Sequence, residues 1–294
     1  MFPTELKSKV ITLPETDDHS IVLVTGNDFR HRRFAYRLQK EFGDLVQVWY
    51  ELDKDIPVKY VAAGAGSKQA AKPVGSAKRK IRDEETAKKL AESHNKSQAK
   101  LFAEEIEDLK AYARLKPVGI NPKDVLTEGF KDEVLKYNPY FFLTLGGPLY
   151  RKPLLESIRG AAINQHAGHS PDFKGTNTTE WALYHRNLFC VSSTVHITIT
   201  GADAGPILRR SNPCIFHKDS FTNVFARIVA LGTELMIEVV QDIIKDKTII
   251  AFEQSQTTGK TYLDQQFDKE MIDSIERDFD NNWLEEELTR QHKF

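Results

Sequence analysis

An amide, an imidazole and a carboxylate follow one another along this chain as Asn164, His166 and Asp203. Asn164 and His166 close a run, Ala161-Ala-Ile-Asn-Gln-His166, that reads as a β-strand. Side chains two residues apart on a strand leave the same face, so the two groups would stand side by side at its carboxyl end. Open α/β sheets bind their ligands at such strand ends. Asp203 is a lone carboxylate among small residues in Gly201-Ala-Asp-Ala-Gly-Pro206, a loop that follows a second strand-like run, Ser192 to Thr200. The intervening stretch from Ala167 to Thr179 is rich in turn residues and can wrap a ligand. An amide can donate to a developing oxyanion, and an imidazole can move a proton near neutral pH.

Other chemistries find less support. His166 and His169 have HxxH spacing, but no third ligand accompanies them at suitable spacing, so no metal is expected. Ser193 and Thr194 lack a nucleophile-elbow context, which argues against a covalent route. Gly259-Lys-Thr261 lacks the leading glycine of a P-loop.

The elements that must carry these groups begin with Ser20 to Gly26, a short apolar run that reads as a buried strand of a parallel sheet. Phe29 to Phe42 has helical spacing with Asp28 as its N-cap, and Leu45 to Tyr50 is a second strand. This β–α–β start predicts an α/β fold with an open, mostly parallel, Rossmann-like sheet. The lysine-rich 62–118 stretch, firmly helical from Lys96 to Arg114, reads as a helical insertion. Its basic run Lys78-Arg-Lys80 reads as a solvated face. The sheet resumes at Tyr140 to Leu145, closed by Gly146-Gly147-Pro148, and Pro153 to Ile158 can form a short helix. Thr178 to His185 is a further helix, Pro206 to Ser211 a further strand, and Phe221 to Ile244 the longest helical pattern. The expected division is a catalytic domain over 18–250, interrupted by 62–118, and a C-terminal extension over 251–294.

Taken together, the sequence resembles the formyltransferases that use 10-formyltetrahydrofolate, a superfamily that includes the glycinamide ribonucleotide, methionyl-tRNA and sugar N-formyltransferases. The resemblance rests on Asn164-Gln-His166, His169-Ser170-Pro171 and Asp203-Ala-Gly205-Pro206, and it covers roughly 138–240. It implies that Asn164 orients and stabilises the oxyanion formed when an amine attacks the formyl carbon. His166 would donate to that oxyanion or take the amine's proton, and Asp203 would hold His166 in its productive state. Which of His166 and Asp203 is the base stays open. The resemblance also places the folate against Gly146, Gly147, Leu149 and Arg151 on one side and Gly201 and Ala202 on the other. The acceptor is expected near the first βα turn, at Asn27 and Arg30, and near Ser170.

The 294 residues carry 41 basic and 42 acidic side chains, a formal net charge of −1 that offers no global attraction to nucleic acid or an anionic membrane. No apolar run is long enough to cross a bilayer, and no leader precedes the first strand, so a cytoplasmic location is expected. Cys190 and Cys214 are expected to be reduced thiols. The methionyl-tRNA members carry a sizeable domain after the catalytic unit, and no basic surplus follows Ile244 here, so a tRNA acceptor is disfavoured. The leading expectation is therefore N-formylation of a small-molecule amine, with nucleotide-linked amino sugars foremost. A formyltetrahydrofolate hydrolase and a nonenzymatic folate-binding scaffold are the competing readings. The Phe221–Ile244 helix and the tail around Trp283 are candidate interfaces of a homodimer.

Overall fold

The computed structural model describes residues 6–60, 84–254 and 259–291. The basic run at 78–80 lies outside the described residues. The apolar run after Ser20 forms strand β2 (Ile21–Thr25), in which every side chain is buried, as a strand covered on both faces requires. It is followed by helix α1 (Phe29–Phe42) and strand β3 (Val46–Leu52), so the β–α–β start takes the expected form. Strand β1 (Lys7–Thr12) precedes it. Helix α2 (Glu84–Lys110) is one continuous helix that starts earlier than its apolar stripe suggested. It packs on α1, where the Arg33 guanidinium forms two bonds to Glu105.

The next elements alternate along the chain: β4 (Val118–Ile120), α3 (Glu128–Leu135), β5 (Phe141–Leu145), α4 (Lys152–Leu155) and β6 (Ala161–His166). Strand β7 (Phe173–Gly175), helix α5 (Thr178–Tyr184), β8 (Ser193–Ile197) and β9 (Ile207–Ser211) come after. Helix α6 (Phe221–Asp246), β10 (Thr248–Glu253), β11 (Lys260–Tyr262), α7 (Lys269–Asp280) and α8 (Trp283–Gln291) complete the order.

Among the described residues, nine strands make the central sheet in the order β1-β10-β9-β8-β6-β5-β2-β3-β4. The half from β4 to β6 is parallel, and the half from β8 to β1 is antiparallel. The fold is thus a Rossmann-like α/β sheet whose parallel half carries the βα units. One face is covered by α1 and α6 over Ile21, Leu23, Phe141, Leu143 and Ile163. The other is covered by α3 and α4 over Val22, Val24, Val48 and Phe142. A third cluster joins Trp181 of α5 to Phe267, Met271, Ile275 and Leu284, which docks the acidic tail on the α5 side of the molecule.

Strands β1 and β10 were not anticipated. Their residues pair at the sheet margin, where only Ile249 and Ala251 of β10 are buried and the lysines of β1 face out. A half-exposed edge pair lacks the apolar density that marks a central strand. Helix α6 is stapled at its start by Ser220, whose Oγ accepts from the Asn223 N–H, and crosses the sheet beneath the site. At Gly232 it comes so close that a Cβ would collide with Ser193 and Gln165, and Gln165 Nε2 donates to the Val229 carbonyl at 2.8 Å. Gln165 therefore points to α6, which leaves Asn164 and His166 on the opposite face.

Candidate active site

The alternation of β6 brings Asn164 and His166 to one face at the carboxyl end of the parallel strands, and neighbouring strands supply their partners. Thr144 of β5 donates from Oγ1 to Asn164 Oδ1 at 2.8 Å. That bond turns the amide nitrogen toward His196, whose Nε2 lies 3.2 Å away. His196 stands directly opposite Asn164 because β8 runs antiparallel to β6 in that register. Asp203 closes the arrangement: Oδ1 is 3.3 Å from His196 Nε2, and Oδ2 is 3.4 Å from His166 Nδ1. Oδ2 also accepts the Gly175 N–H at 2.8 Å.

The far side of each ring settles which nitrogens carry hydrogen. His196 Nδ1 lies 2.8 Å from the Ile197 carbonyl, and His166 Nε2 lies 2.9 Å from the Phe173 carbonyl. A carbonyl can only accept, so both of these nitrogens donate. The other nitrogen of each ring, Nε2 of His196 and Nδ1 of His166, faces Asp203. His196 Nε2 can accept from the Asn164 amide when bare and donate to Asp203 when protonated. Burial, the largest single influence on Asp203, opposes its charge. The charges of His166 and His196, with hydrogen bonds from His196 and the Gly175 N–H, outweigh it and hold the carboxyl below the usual carboxylate range.

Asp203 sits in the left-handed backbone region, with φ +47°. Its carbonyl accepts from Gln254 Nε2 at 2.9 Å and from Ser170 Oγ at 3.3 Å, and Gln254 also donates to the Gly205 carbonyl. Three hydrogen bonds from two side chains thus fix a loop conformation that a non-glycine residue rarely adopts unaided. Strand β7 supplies both the Phe173 carbonyl and the Gly175 N–H, and its only strand partner among the described residues is the parallel β11. The Phe173 and Tyr262 rings stack with centroids 5.4 Å apart, and Trp181 stacks on Tyr262 at 4.5 Å. The segment after 251 therefore braces the strand that orients His166 and Asp203.

The remaining anticipated residues divide by position. Gly146 and Gly147 follow β5 with positive φ, +75° and +106°, and Leu149 beside them is 56% exposed. Arg151 is also exposed, and Gly201 and Ala202 border Asp203 with partial exposure. Asn27 is exposed at the end of β2, but Arg30 is engaged, 3.2 Å from Asp28 and with its guanidinium over the Phe225 ring. Ser170 is fully buried, and its N–H donates to Thr194 Oγ1 while its hydroxyl holds the aspartate loop. Sequence reasoning missed His196, Gly175 and Gln254. Only the cross-strand register reveals His196, and only the β7–β11 pairing and the turn after β10 reveal the other two. It also missed His31, whose buried ring lies against Gly26 and Gly146 and whose Nδ1 accepts the Asp28 N–H at 3.3 Å.

His169 stands apart from this network. It is buried, Nδ1 lies 3.0 Å from Ser192 Oγ, and burial with the nearby Arg210 charge lowers its pKa to about 3. Asp172 and Cys190 border it. No described helix is long and apolar enough to cross a membrane.

Comparison with known proteins gives a consistent answer. The chain is 28% identical to the methionyl-tRNA formyltransferase of Thermodesulfovibrio yellowstonii over 120 residues, 40% of this chain and 39% of that protein. The enzyme of the same name from Myxococcus xanthus is 28% identical over 129 residues, 44% of this chain and 41% of that protein. The matched region thus spans about two fifths of these curated relatives. Among solved structures, a sugar N-formyltransferase from a Shewanella species superposes with a TM-score of 0.50 at 15% identity, covering 84% of this chain and 78% of that one. An N-formyltransferase from Helicobacter canadensis, solved with folinic acid and dTDP-3-aminofucose, gives a TM-score of 0.50 at 15% identity over 84% of this chain and 72% of that one. The formyl transferase family model matches residues 21–240, which contain β2 to α6 and every member of the polar network except Gln254, and the chain belongs to that family.

Proposed function

We propose that this protein transfers the formyl group of 10-formyltetrahydrofolate to an amine of a small acceptor, with nucleotide-linked amino sugars as the leading class. The observation that carries the reading is the continuous polar chain from Asn164 through His196 and Asp203 to His166 at the carboxyl ends of the parallel strands. Attack by a neutral amine on the formyl carbon forms a C–N bond and puts negative charge on the formyl oxygen. The Asn164 amide, half-exposed at the strand end, is the donor placed to meet that charge. One such donor is worth about 3 kcal/mol of transition-state stabilisation. As the tetrahedral centre collapses, the bond to N10 of the folate breaks and the amine's proton must reach N10. His166 and Asp203, the carboxylate ionised between two imidazoles, form the pair that relays that proton from the amine to N10.

The mouth of the site fits a flat, polar heteroaromatic donor. Leu149 presents an exposed apolar face beside the two glycines, while Thr198 Oγ1 and Gln254 Oε1, near the aspartate loop, are buried without hydrogen-bond partners among the described residues. The ligand pair in the Helicobacter canadensis structure guides the choice of probes. Purified protein is incubated with 10-formyltetrahydrofolate and, separately, dTDP-amino sugars, glycinamide ribonucleotide, methionyl-tRNA or no amine, and tetrahydrofolate release is followed. Amine-dependent release that falls about a thousandfold in Asp203→Asn supports the reading. Release without amine would point to a hydrolase. Folate binding without turnover of any amine would leave a binding protein.

A further inference from the structure

Outside the catalytic network, three side chains from two separate loops converge beside the turn that follows His166. His169 Nε2, Asp172 carboxylate oxygen and Cys190 Sγ lie within 4.8 Å of one another. His169 is 1% exposed, and its Nε2 has no hydrogen-bond partner among the described residues; Asp172 Oδ2, at 3.5 Å, does not complete one. A buried imidazole nitrogen left bare is costly unless something occupies it.

We propose that His169, Asp172 and Cys190 form a binding site for a divalent cation of borderline softness, Zn²⁺ foremost, that clips the turn 169–172 to the short 3₁₀ turn Leu188–Cys190. The donor set is one nitrogen, one oxygen and one sulfur, a combination that suits zinc better than magnesium or calcium. Zinc bonds of about 2.0–2.3 Å set tetrahedral edges of roughly 3.3–3.8 Å, so the ligands need close by only about 1 Å. The second nitrogen of His169 is already held by Ser192 Oγ at 3.0 Å, which orients the ring as metal-ligating histidines usually are. Asp172 is partly exposed, which leaves a side open for water as the fourth ligand. Arg210, anchored by Nη1 to the Ser170 carbonyl, is the cation that faces the cluster, and it moderates the affinity rather than filling the site. Because the clip lies directly before Phe173, the metal would rigidify the carbonyl that fixes His166.

The test is a titration of the reduced full-length protein with Co²⁺ and Zn²⁺. Cys214 is exposed and could bind metal adventitiously, so Cys214→Ser is the reference protein. The expected result is one Co²⁺ per chain with a thiolate charge-transfer band, displaced by Zn²⁺, in the wild type and in Cys214→Ser. Cys190→Ser and Asp172→Asn should each lose the stoichiometric site, and Cys190→Ser should lose the band. Zn²⁺ at a hundredfold excess over its Kd should raise the Tm of Cys214→Ser by about 5 °C, with no rise in Cys190→Ser. Absence of a stoichiometric site in the folded Cys214→Ser protein overturns the proposal, as does a band that survives Cys190→Ser.

Discussion

Replacing Gly175 with alanine probes the brace behind the Asp203 carboxylate. Gly175 has φ +95°, and a Cβ there would overlap the backbone carbonyl of Tyr262. A backbone oxygen cannot rotate away as a side chain would, so β7 and β11 must separate by about an ångström. The left-handed conformation alone costs an alanine about 1–2 kcal/mol. The displaced N–H is the one Asp203 Oδ2 accepts at 2.8 Å, a hydrogen bond to a charged group worth about 1.5–3 kcal/mol. Together these terms predict a loss of about 3–5 kcal/mol in folding stability. Where that bond is stronger in the transition state than in the free protein, by about 1.4–2.7 kcal/mol, its loss adds a fall of about 10- to 100-fold in kcat/KM. Equilibrium urea unfolding reads the first quantity. Tetrahedral-step kinetics with a turning-over amine, measured well below the variant's Tm, read the second. A variant with unchanged unfolding midpoint and kcat/KM within twofold of wild type would refute the claim that β11 positions the site through β7.

Asp203→Asn keeps the shape and the Gly175 bond but removes the charge between two imidazoles; kcat is expected to fall about a thousandfold while Tm, followed by calorimetry, changes by only a few degrees. Gln254→Ala releases the Asp203 and Gly205 carbonyls at once, so the KM for the folate donor should rise several-fold more than kcat falls, and a selective loss of kcat would contradict that assignment. His31 is buried, and burial followed by the Arg30 charge holds its pKa well below the ordinary histidine value. The unfolded chain therefore takes up a proton near pH 6.5 that the folded protein refuses, so stability is full above that pH and declines below it. The slope is about 1.4 kcal/mol per pH unit for this group, and denaturation of His31→Gln between pH 5 and 7 should be correspondingly flatter.

What the sequence made legible follows physical range. The helix over Phe29–Phe42 and the strand over Ala161–His166 were read to the residue because their boundaries are set locally, by Asp28 as a cap and by a dense apolar run. The pairing of Asn164 and His166 on one face needs only the two-residue period of a strand. His196 has the same local look as any histidine in an alternating strand, and its place against Asn164 depends on an antiparallel register set by long-range packing. The edge strands β1 and β10 were illegible for a related reason: they pair across most of the chain and bury little. Cys190 and His169 are far apart in sequence, so ligand-spacing rules could not join them.

The change of strand direction at β8 is what makes this sheet chemically useful. Parallel strands alone would bring only their own carboxyl ends to the site, as β5 and β6 do with Thr144 and Asn164. An antiparallel neighbour arrives from the opposite side, sets His196 beside Asn164, and then turns within the site to deliver Asp203 on the next loop. The same reversal exposes the loop, which must then be held by groups from outside the parallel half: Ser170 and Gln254 on the Asp203 carbonyl and Gly175 on its carboxylate. Two of those three depend on elements after α6, directly for Gln254 and through β11 for Gly175. Asn164, His166, His196 and Asp203 therefore belong to the region matched by the family, while their placement rests on the segment that follows it. Substitutions at Tyr262 that break the stack on Phe173 should accordingly lower kcat without touching a residue that meets substrate, and equal activity in a folded Tyr262→Ala protein would separate the two halves of that dependence.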